Sequence, residues 1–322
     1  MRAIRIHSFG GPDVLKHDEV TDPTPKPDEA VVQVEAAGVN FIDVYHRTGL
    51  YRNPLPLTLG QEGAGTVLAV GPDVTDVSVG DRVAWVGVFG GYAEKAAVPA
   101  AKLVKLPAGV STKQGAALML QGMTAQYLAC STYPLKPGDA CLVHSGAGGV
   151  GLLLTQVAKM RGARVITTVS TDEKAALSRA AGADEVVLYT TQDFVAEVKR
   201  MTDGRGVQVV YDSVGRTTFD GSLACLAPRG LLALFGQSSG AVPPFDPLLL
   251  SRNGSLFLTR PTLFHYIATR PELEQCANEV LGWFASGKLR LRLEFEFALK
   301  DAAAAHAALE GRKTTGKVLL IP

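Results

Sequence analysis

Residues 140–152 read Ala140-Cys141-Leu142-Val143-His144-Ser145-Gly146-Ala147-Gly148-Gly149-Val150-Gly151-Leu152: an apolar run, a glycine cluster, then a second apolar run. The cluster at 146–151 is a G-x-G-x-x-G. Alone that string is weak evidence, but here it comes after an expected strand and opens an expected helix, which is the context the motif requires. Gly146 suits a tight turn, Gly148 lets the backbone approach a pyrophosphate, and Gly151 lets helix and strand pack closely. The exposed start of the helix favours the anion. The spacing therefore predicts dinucleotide binding at this turn, by Gly146, Gly148 and Gly151. The competing reading is a glycine-rich turn that holds nothing.

The chain beyond the turn argues against that alternative. From about residue 122 strands and helices alternate strictly: the strand DACLVHSG, the helix VGLLLTQVAKMRGA, the strand RVITTVS and the helix DEKAALSRAAGA. Then come the strand EVVLYT, the helix DFVAEVKRMTDG, the strand VQVVYDSV, a helix over TTFDGSLACLAPRG and the strand LLALFG. Parallel strands need crossover connections, so the alternation predicts an α/β domain: a doubly wound parallel sheet with helices on both faces. The strands are near-continuous runs of Val, Leu and Ile, as expected where both faces are covered. Residues 1–120 read differently, as short strands separated by turns, among them AVVQVEAAGV (30–39), GTVLAVG (65–71), DRVAWVG (81–87) and AEKAAVP (93–99). A helix (PELEQCANEVLGWFASGKL), a charged strand, the helix DAAAAHAALEG and a terminal strand KVLLI close the chain. Two domains are expected, a β-rich one from 1–122 and 262–322 and a dinucleotide-binding one at 123–261. Ligands are expected in the cleft between them, at the carboxyl ends of the parallel strands.

The tip of the next strand bears on which dinucleotide. NAD-binding units usually place Asp or Glu there, about 20 residues on, to hold the ribose 2′-hydroxyl. This chain has Ser170, with Lys174 one helical turn beyond and Asp172 between them, placed to cap the helix. A hydroxyl and a cation suit a 2′-phosphate that a carboxylate would repel, so the expected cofactor is NADPH rather than NADH.

Composition narrows the class. Lys plus Arg number 32 against 31 Asp plus Glu, a net charge of +1, which gives no driving force toward nucleic acid or an anionic membrane. No apolar run reaches the ~18 residues of a membrane span. The opening MRAIRIHSFGG turns polar too early for a secretory signal, so a cytoplasmic protein is expected. Cys130, Cys141, Cys225 and Cys276 form no C-x-x-C pair and read as buried thiols rather than a disulfide framework or zinc knuckle. Glycine is abundant, 34 of 322 residues, against a typical ~7%.

Several stretches together carry a resemblance: Ala37-Gly38-Val39-Asn40-Phe41-Ile42-Asp43-Val44-Tyr45, Gly60-Gln61-Glu62-Gly63-Ala64-Gly65, Val79-Gly80-Asp81-Arg82-Val83, LQGMTAQYL (120–128), HSGAGGVG (144–151) and TTGKVLLIP (314–322). In this order they resemble the medium-chain dehydrogenase/reductase superfamily, and within it the zinc-free quinone oxidoreductase, zeta-crystallin-like branch, over essentially the whole chain. The resemblance implies a Rossmann domain joined to a β-rich, GroES-like catalytic domain. Zinc alcohol dehydrogenases of the superfamily carry Cys where this chain has Asn40 and His where it has Gln61, and they insert a four-cysteine lobe missing here. Amides are poor zinc ligands, so no catalytic metal is expected.

Without a metal to hold an alkoxide, the chemistry left is hydride transfer to an acceptor already electrophilic at carbon, a quinone or an α,β-unsaturated carbonyl. The resemblance implies that Asn40, Asp43, Tyr45 and Tyr51 line the acceptor pocket, the phenols hydrogen-bonding the acceptor oxygen and Asn40 positioning either the acceptor or the carboxamide. Asp43 alternatively organises neighbouring groups, and the two tyrosines are alternatively plain half-buried aromatics. The resemblance places Tyr127, Gly148, Gly149, Val150, Ser170, Lys174 and Tyr189 along the adenosine and pyrophosphate path. It puts Phe235 and Ser238 near the nicotinamide, with Arg312 and Lys317 approaching the cofactor. It also implies a homodimer joined through the dinucleotide domains along residues 254–263. The expected function is NADPH-dependent quinone reduction. An enone or enoyl reductase is the alternative, and a non-catalytic crystallin-like or RNA-binding protein a further one, with the balanced charge counting against RNA.

Overall fold

Short apolar strands and tight turns dictate antiparallel pairing in the amino-terminal part of the computed structural model, which describes residues 1–322. The strands there are β1 (Arg2–Ile6), β2 (Lys16–Glu19), β3 (Glu29–Val39), β4 (Leu57–Thr58), β5 (Glu62–Val70), β6 (Arg82–Val86), β7 (Lys95–Pro99) and β8 (Leu103–Lys105). Helix α1 (Phe41–Arg47) leaves β3 directly, and α2 (Thr112–Tyr127) comes after β8. The helix expected from Gly122 thus begins at Thr112, and after Tyr127 it continues into one π turn, Leu128–Thr132.

The alternating region then runs β9 (Ala140–His144), α3 (Gly149–Met160), β10 (Arg164–Val169), α4 (Asp172–Ala180), β11 (Glu185–Leu188), α5 (Phe194–Met201), β12 (Val207–Asp212), α6 (Phe219–Ala224), β13 (Leu226–Leu234), α7 (Leu248–Arg252) and β14 (Phe257–Thr259). All pairings in this sheet are parallel, in the order β11-β10-β9-β12-β13-β14. Numbered from β9, that is 3-2-1-4-5-6, the order of the doubly wound dinucleotide-binding sheet. Leu142, Ile166, Val187, Val210 and Leu232, one from each of five neighbouring strands, are fully buried in its core. Burying each contributes about 1.5–3 kcal/mol relative to exposure.

One expected helix is much shorter than its sequence pattern. TTFDGSLACLAPRG yields six helical residues, and the chain enters β13 at Leu226. Leu226 pairs with Val207 while Leu231 pairs with Val209, so residues 227–230 loop out as a bulge. Pro228, without an N–H, is tolerated there but not inside a helix, and Arg229 takes the left-handed conformation at φ 63°.

After α8 (Leu263–Tyr266), α9 (Arg270–Ala285), β15 (Leu293–Ala298), α10 (Ala302–Glu310) and β16 (Lys317–Ile321) complete the β-rich unit. Its larger sheet has the order β15-β16-β3-β5-β6-β8, with β7 also on β3, and a smaller one runs β2-β1-β4. Trp85, Ile4, Leu103 and Leu320 lie in its core. The chain divides into two compact units, Met1–Met123 with Ile267–Pro322, and Thr124–Tyr266. The second junction lies five residues beyond the 261/262 read from sequence, because α8 is tied into the parallel-sheet unit. Tyr266 stacks on Tyr127 at 4.3 Å and takes a hydrogen bond from Thr132 Oγ1 at 2.8 Å.

Candidate functional site

In the parallel-sheet unit the glycine turn is built differently from the sequence expectation. The left-handed residue is Ser145, at φ 58°, not Gly146. Gly146 is needed for space, since a Cβ there would lie 2.5 Å from Thr167 Cβ. Gly151 acts as expected: a side chain would overlap the Ser145 carbonyl and crowd Gly146, so its absence lets α3 pack on the turn. Gly148 is different again. Its Cβ would sit 3.2 Å from Ser145 O, a tight contact but without the overlap met at Gly146 and Gly151. A bare backbone at the N-cap of a twelve-residue helix with no side-chain cap is what close approach of a pyrophosphate requires. The residues present fit a dinucleotide.

Ser170, Lys174 and Tyr189 gather at the carboxyl ends of β10 and β11. The Tyr189 N–H donates to Val169 O at 3.1 Å, and Thr190 Oγ1 donates to Ser170 O at 3.1 Å. The cap of α4 is Thr171, whose hydroxyl accepts from Lys174 N at 3.3 Å, so Asp172 is the first helical residue and not the cap. Phe235 and Ser238 come just after β13, their backbone N–H groups held by Asp212 O at 2.9 Å and Ser213 O at 3.1 Å. Tyr127 is buried, with one ring face covered by Tyr266.

In the β-rich unit the site residues sort into two groups. Asn40 stands just past β3, Glu62 opens β5 and Lys317 opens β16, three strands adjacent in one sheet. The fully buried Lys317 ammonium bonds the fully buried Glu62 carboxylate and, at 2.9 Å, Asn40 Oδ1. Asn40 Nδ2 donates to Glu62 Oε2 at 2.8 Å and to Gly38 O at 3.3 Å, and Asn40 Oδ1 also accepts from Gln121 Nε2 at 3.2 Å. Glu62 Oε1 accepts from Leu120 N at 2.6 Å. A side chain at Gly38 would overlap the ion pair, which explains that glycine.

Three of the expected site residues are engaged inside the unit. An amide has two donor hydrogens and two acceptor lone pairs, and in Asn40 all four are in use, leaving none for an acceptor oxygen or a carboxamide. Lys317 is an interior counter-ion to Glu62. Asp43, with no exposed surface, faces inward too: its Oδ2 accepts from Asn40 N and from the Tyr92 hydroxyl, both at 2.9 Å. Burial raises the Asp43 carboxyl to about 7, outweighing those two hydrogen bonds and the nearby Lys317 charge. Tyr92 leads on to His306 at 3.2 Å, His306 to Arg47 at 3.1 Å, and Arg47 makes a two-pronged ion pair with Glu310 at 2.7 and 2.8 Å. Burial, then the Arg47 guanidinium, drives His306 down to about 3, so its Nδ1 is a lone pair facing Arg47.

Tyr45 and Tyr51 form the other group. Their rings meet edge to face at 5.3 Å, Tyr45 nearly buried and Tyr51 37% exposed. His46 extends the cluster, edge-on to Tyr51 at 5.7 Å and to Phe89 at 4.9 Å, with Gln61 Nε2 3.0 Å from its Nε2. Burial holds His46 below its ordinary value. Arg312 is exposed after α10 and ends that helix in the left-handed conformation at φ 57°. Sequence reading missed His46, Phe89, Gln121, Tyr92 and the ion pair. Only the pair left a signal, a lone Glu and a lone Lys opening otherwise apolar strands.

Two family models match, the alcohol dehydrogenase GroES-like domain over residues 26–108 and the zinc-binding dehydrogenase domain over 149–285. The chain is 46% identical to a quinone oxidoreductase of Pseudomonas aeruginosa, covering 100% of this chain and 99% of that one. It is 42% identical to a 2-haloacrylate reductase of a Burkholderia species, covering 98% of each. The crystal structure of Escherichia coli quinone oxidoreductase complexed with NADPH superposes with a TM-score of 0.98 at 45% identity, covering 100% of both chains. No helix is long and apolar enough to cross a membrane. With both family domains in order and this identity over its full length, the chain belongs to the zinc-free quinone oxidoreductase branch of the medium-chain dehydrogenase/reductase family.

Proposed function

We propose that the chain is an NADPH-dependent quinone oxidoreductase working without a metal. The observation that carries the metal-free part is the state of Asn40 and Gln61, which stand where zinc relatives have Cys and His. The Asn40 amide is consumed by four internal hydrogen bonds, one of them from the Lys317 ammonium, and Gln61 lies against His46. Two amides, one of them bonded to a buried ammonium, make no ligand set for Zn²⁺. NADPH, when bound, supplies the hydride. The glycine turn would hold its pyrophosphate, Ser170 and Lys174 its 2′-phosphate, and Tyr189, Phe235, Ser238 and Arg312 the remainder.

Tyr45 and Tyr51 are the groups placed to hold the acceptor. Their rings offer an aromatic edge to a planar quinone, and a phenol hydroxyl can hydrogen-bond the carbonyl oxygen on which negative charge develops. Hydride plus one proton converts the quinone to a hydroquinone, and positioning supplies most of the acceleration, so no single side chain need be indispensable. Reduction of an activated carbon–carbon double bond is the second reading, favoured by the similarity to 2-haloacrylate reductase.

The proposed assembly is a homodimer joined at β14, the edge strand of the parallel sheet, where Phe257 is 62% exposed. An uncovered edge with an outward aromatic is a ready pairing surface. A cytoplasmic location belongs to the same reading, since all four cysteines stand as separate thiols. The test is a panel of acceptors, benzoquinone, naphthoquinone and a small enone, each with NADPH and with NADH. Quinone turnover preferring NADPH supports the proposal. Enone turnover alone favours the second reading, and no turnover despite tight NADPH binding defeats both.

A further inference from the structure

Three adjacent strands of the parallel sheet, β10, β9 and β12, carry Thr168, His144 and Asp212 at or next to their carboxyl ends, all buried. A run of hydrogen bonds joins them through Ser222 of α6. The Ser222 hydroxyl donates to Asp212 Oδ2 at 2.8 Å, so its oxygen must accept from His144 Nε2 at 3.0 Å. That places the imidazole proton on Nε2 and leaves Nδ1 to accept from the Thr168 hydroxyl at 2.9 Å. Every bond then points one way, from Thr168 to the Asp212 carboxylate. Phe194 packs edge-on to the imidazole at 5.1 Å, and burial holds His144 below its ordinary value, as a neutral ring with one lone pair requires.

Both ends of this ladder reach backbone that shapes the proposed cofactor loops. At one end, the Thr168 carbonyl accepts the Gly146 N–H at 3.0 Å, and Ser170 lies two residues on. At the other, Asp212 Oδ1 accepts from Val214 N at 2.7 Å and Gly215 N at 3.0 Å, while the Asp212 carbonyl accepts from Phe235 N at 2.9 Å and Gly236 N at 3.2 Å. Apolar side chains would fill the same space, but they would not fix one strand end against the next along a set direction.

We infer that the Thr168–His144–Ser222–Asp212 ladder registers the phosphate-holding half of the cofactor site against the nicotinamide-holding half, with His144 as the positioning residue at its centre. The inference rests on the dinucleotide reading above. None of the four side chains needs to touch the cofactor. Loss of the ladder lets each half keep its own shape while the two drift out of register, so a ligand spanning both suffers and a ligand occupying one does not.

The test compares equilibrium binding to the full-length chain of NADPH and of 2′,5′-ADP, which carries the adenosine, its 2′-phosphate and one phosphate of the pyrophosphate but no nicotinamide riboside. His144→Phe keeps the ring volume and removes both bonds. It is expected to weaken NADPH about tenfold and 2′,5′-ADP less than about twofold. His144→Gln, whose amide both donates and accepts, restores most of the loss. Ser222→Ala, a small change in a helix, gives the same split in lesser degree and decides the matter if His144→Phe does not fold. Equal losses for the two ligands, or no loss for either, overturn the ladder's role. Failure of the unmodified chain to bind either ligand overturns the dinucleotide reading itself and the inference with it.

Discussion

Asp43 is a carboxyl with no exposed surface, one oxygen accepting two hydrogen bonds and the other, Oδ1, without a partner. Its value of about 7, against an ordinary 3.8, means the folded protein holds a proton that the unfolded chain releases. Between those values the folded state binds more protons, so this group's contribution to stability falls as pH rises from about 4 to about 7. Asp43→Asn has no such proton. Relative to the unmodified protein it should gain roughly 2–3 kcal/mol between pH 5 and pH 8, read by denaturant unfolding at both values. A pH-independent difference would show that Asp43 is ionised in the fold. Lys317 gives the opposite case, a buried charge paired with a buried carboxylate. Lys317→Met strands the Glu62 carboxylate and should cost about 3–5 kcal/mol, while Lys317→Met with Glu62→Gln should cost less than the single change. At this scale the sequence shows residue types but not their partners: Asn40 and Lys317 are polar types a ligand site uses, and only the pairing of β3, β5 and β16 shows them bonded to each other and to Glu62.

Elements were far more legible than side-chain roles. Near-continuous Val, Leu and Ile runs such as RVITTVS and VQVVYDSV can only be strands covered on both faces, and β10 and β12 lie where those runs predict. Misreadings fall at element ends, where a single residue's conformation decides. TTFDGSLACLAPRG has enough small and apolar residues to read as one helix, yet Pro228 and the left-handed Arg229 turn its second half into a bulged strand. Likewise Thr171 rather than Asp172 caps α4, because a cap must precede the first helical residue, and Asp172 is already helical. The tip of β10 nevertheless supports a clear prediction. If Ser170 and Lys174 read the 2′-phosphate, Lys174→Ala weakens NADPH at least about tenfold and leaves NADH nearly unchanged, as measured by fluorescence titration. Matching losses for the two nucleotides would remove Lys174 from that role.

For the whole molecule, the strict alternation after residue 122 and the turn-rich first 120 residues foretell two architectures in one chain, and the all-parallel sheet differs accordingly from the two sheets of the β-rich unit. The proposed dimer has no signal in the residues themselves beyond the resemblance, because an edge strand is defined by which neighbour it lacks. With β14 at the end of the sheet and Phe257 outward, Phe257→Lys should convert a dimer into a monomer on light scattering coupled to size exclusion. An unchanged mass would move the interface elsewhere. Metal-free hydride transfer from NADPH to a quinone, in a chain with Asn40 and Gln61 where zinc relatives have Cys and His, has a decisive measurement. It is steady-state quinone reduction with NADPH deuterated at the transferred position, using chelator-treated protein checked for residual metal. Full turnover after chelation and a rate slowed by deuterium are expected. Turnover that vanishes on chelation and returns with zinc would contradict metal-free transfer, as would no quinone reduction at all.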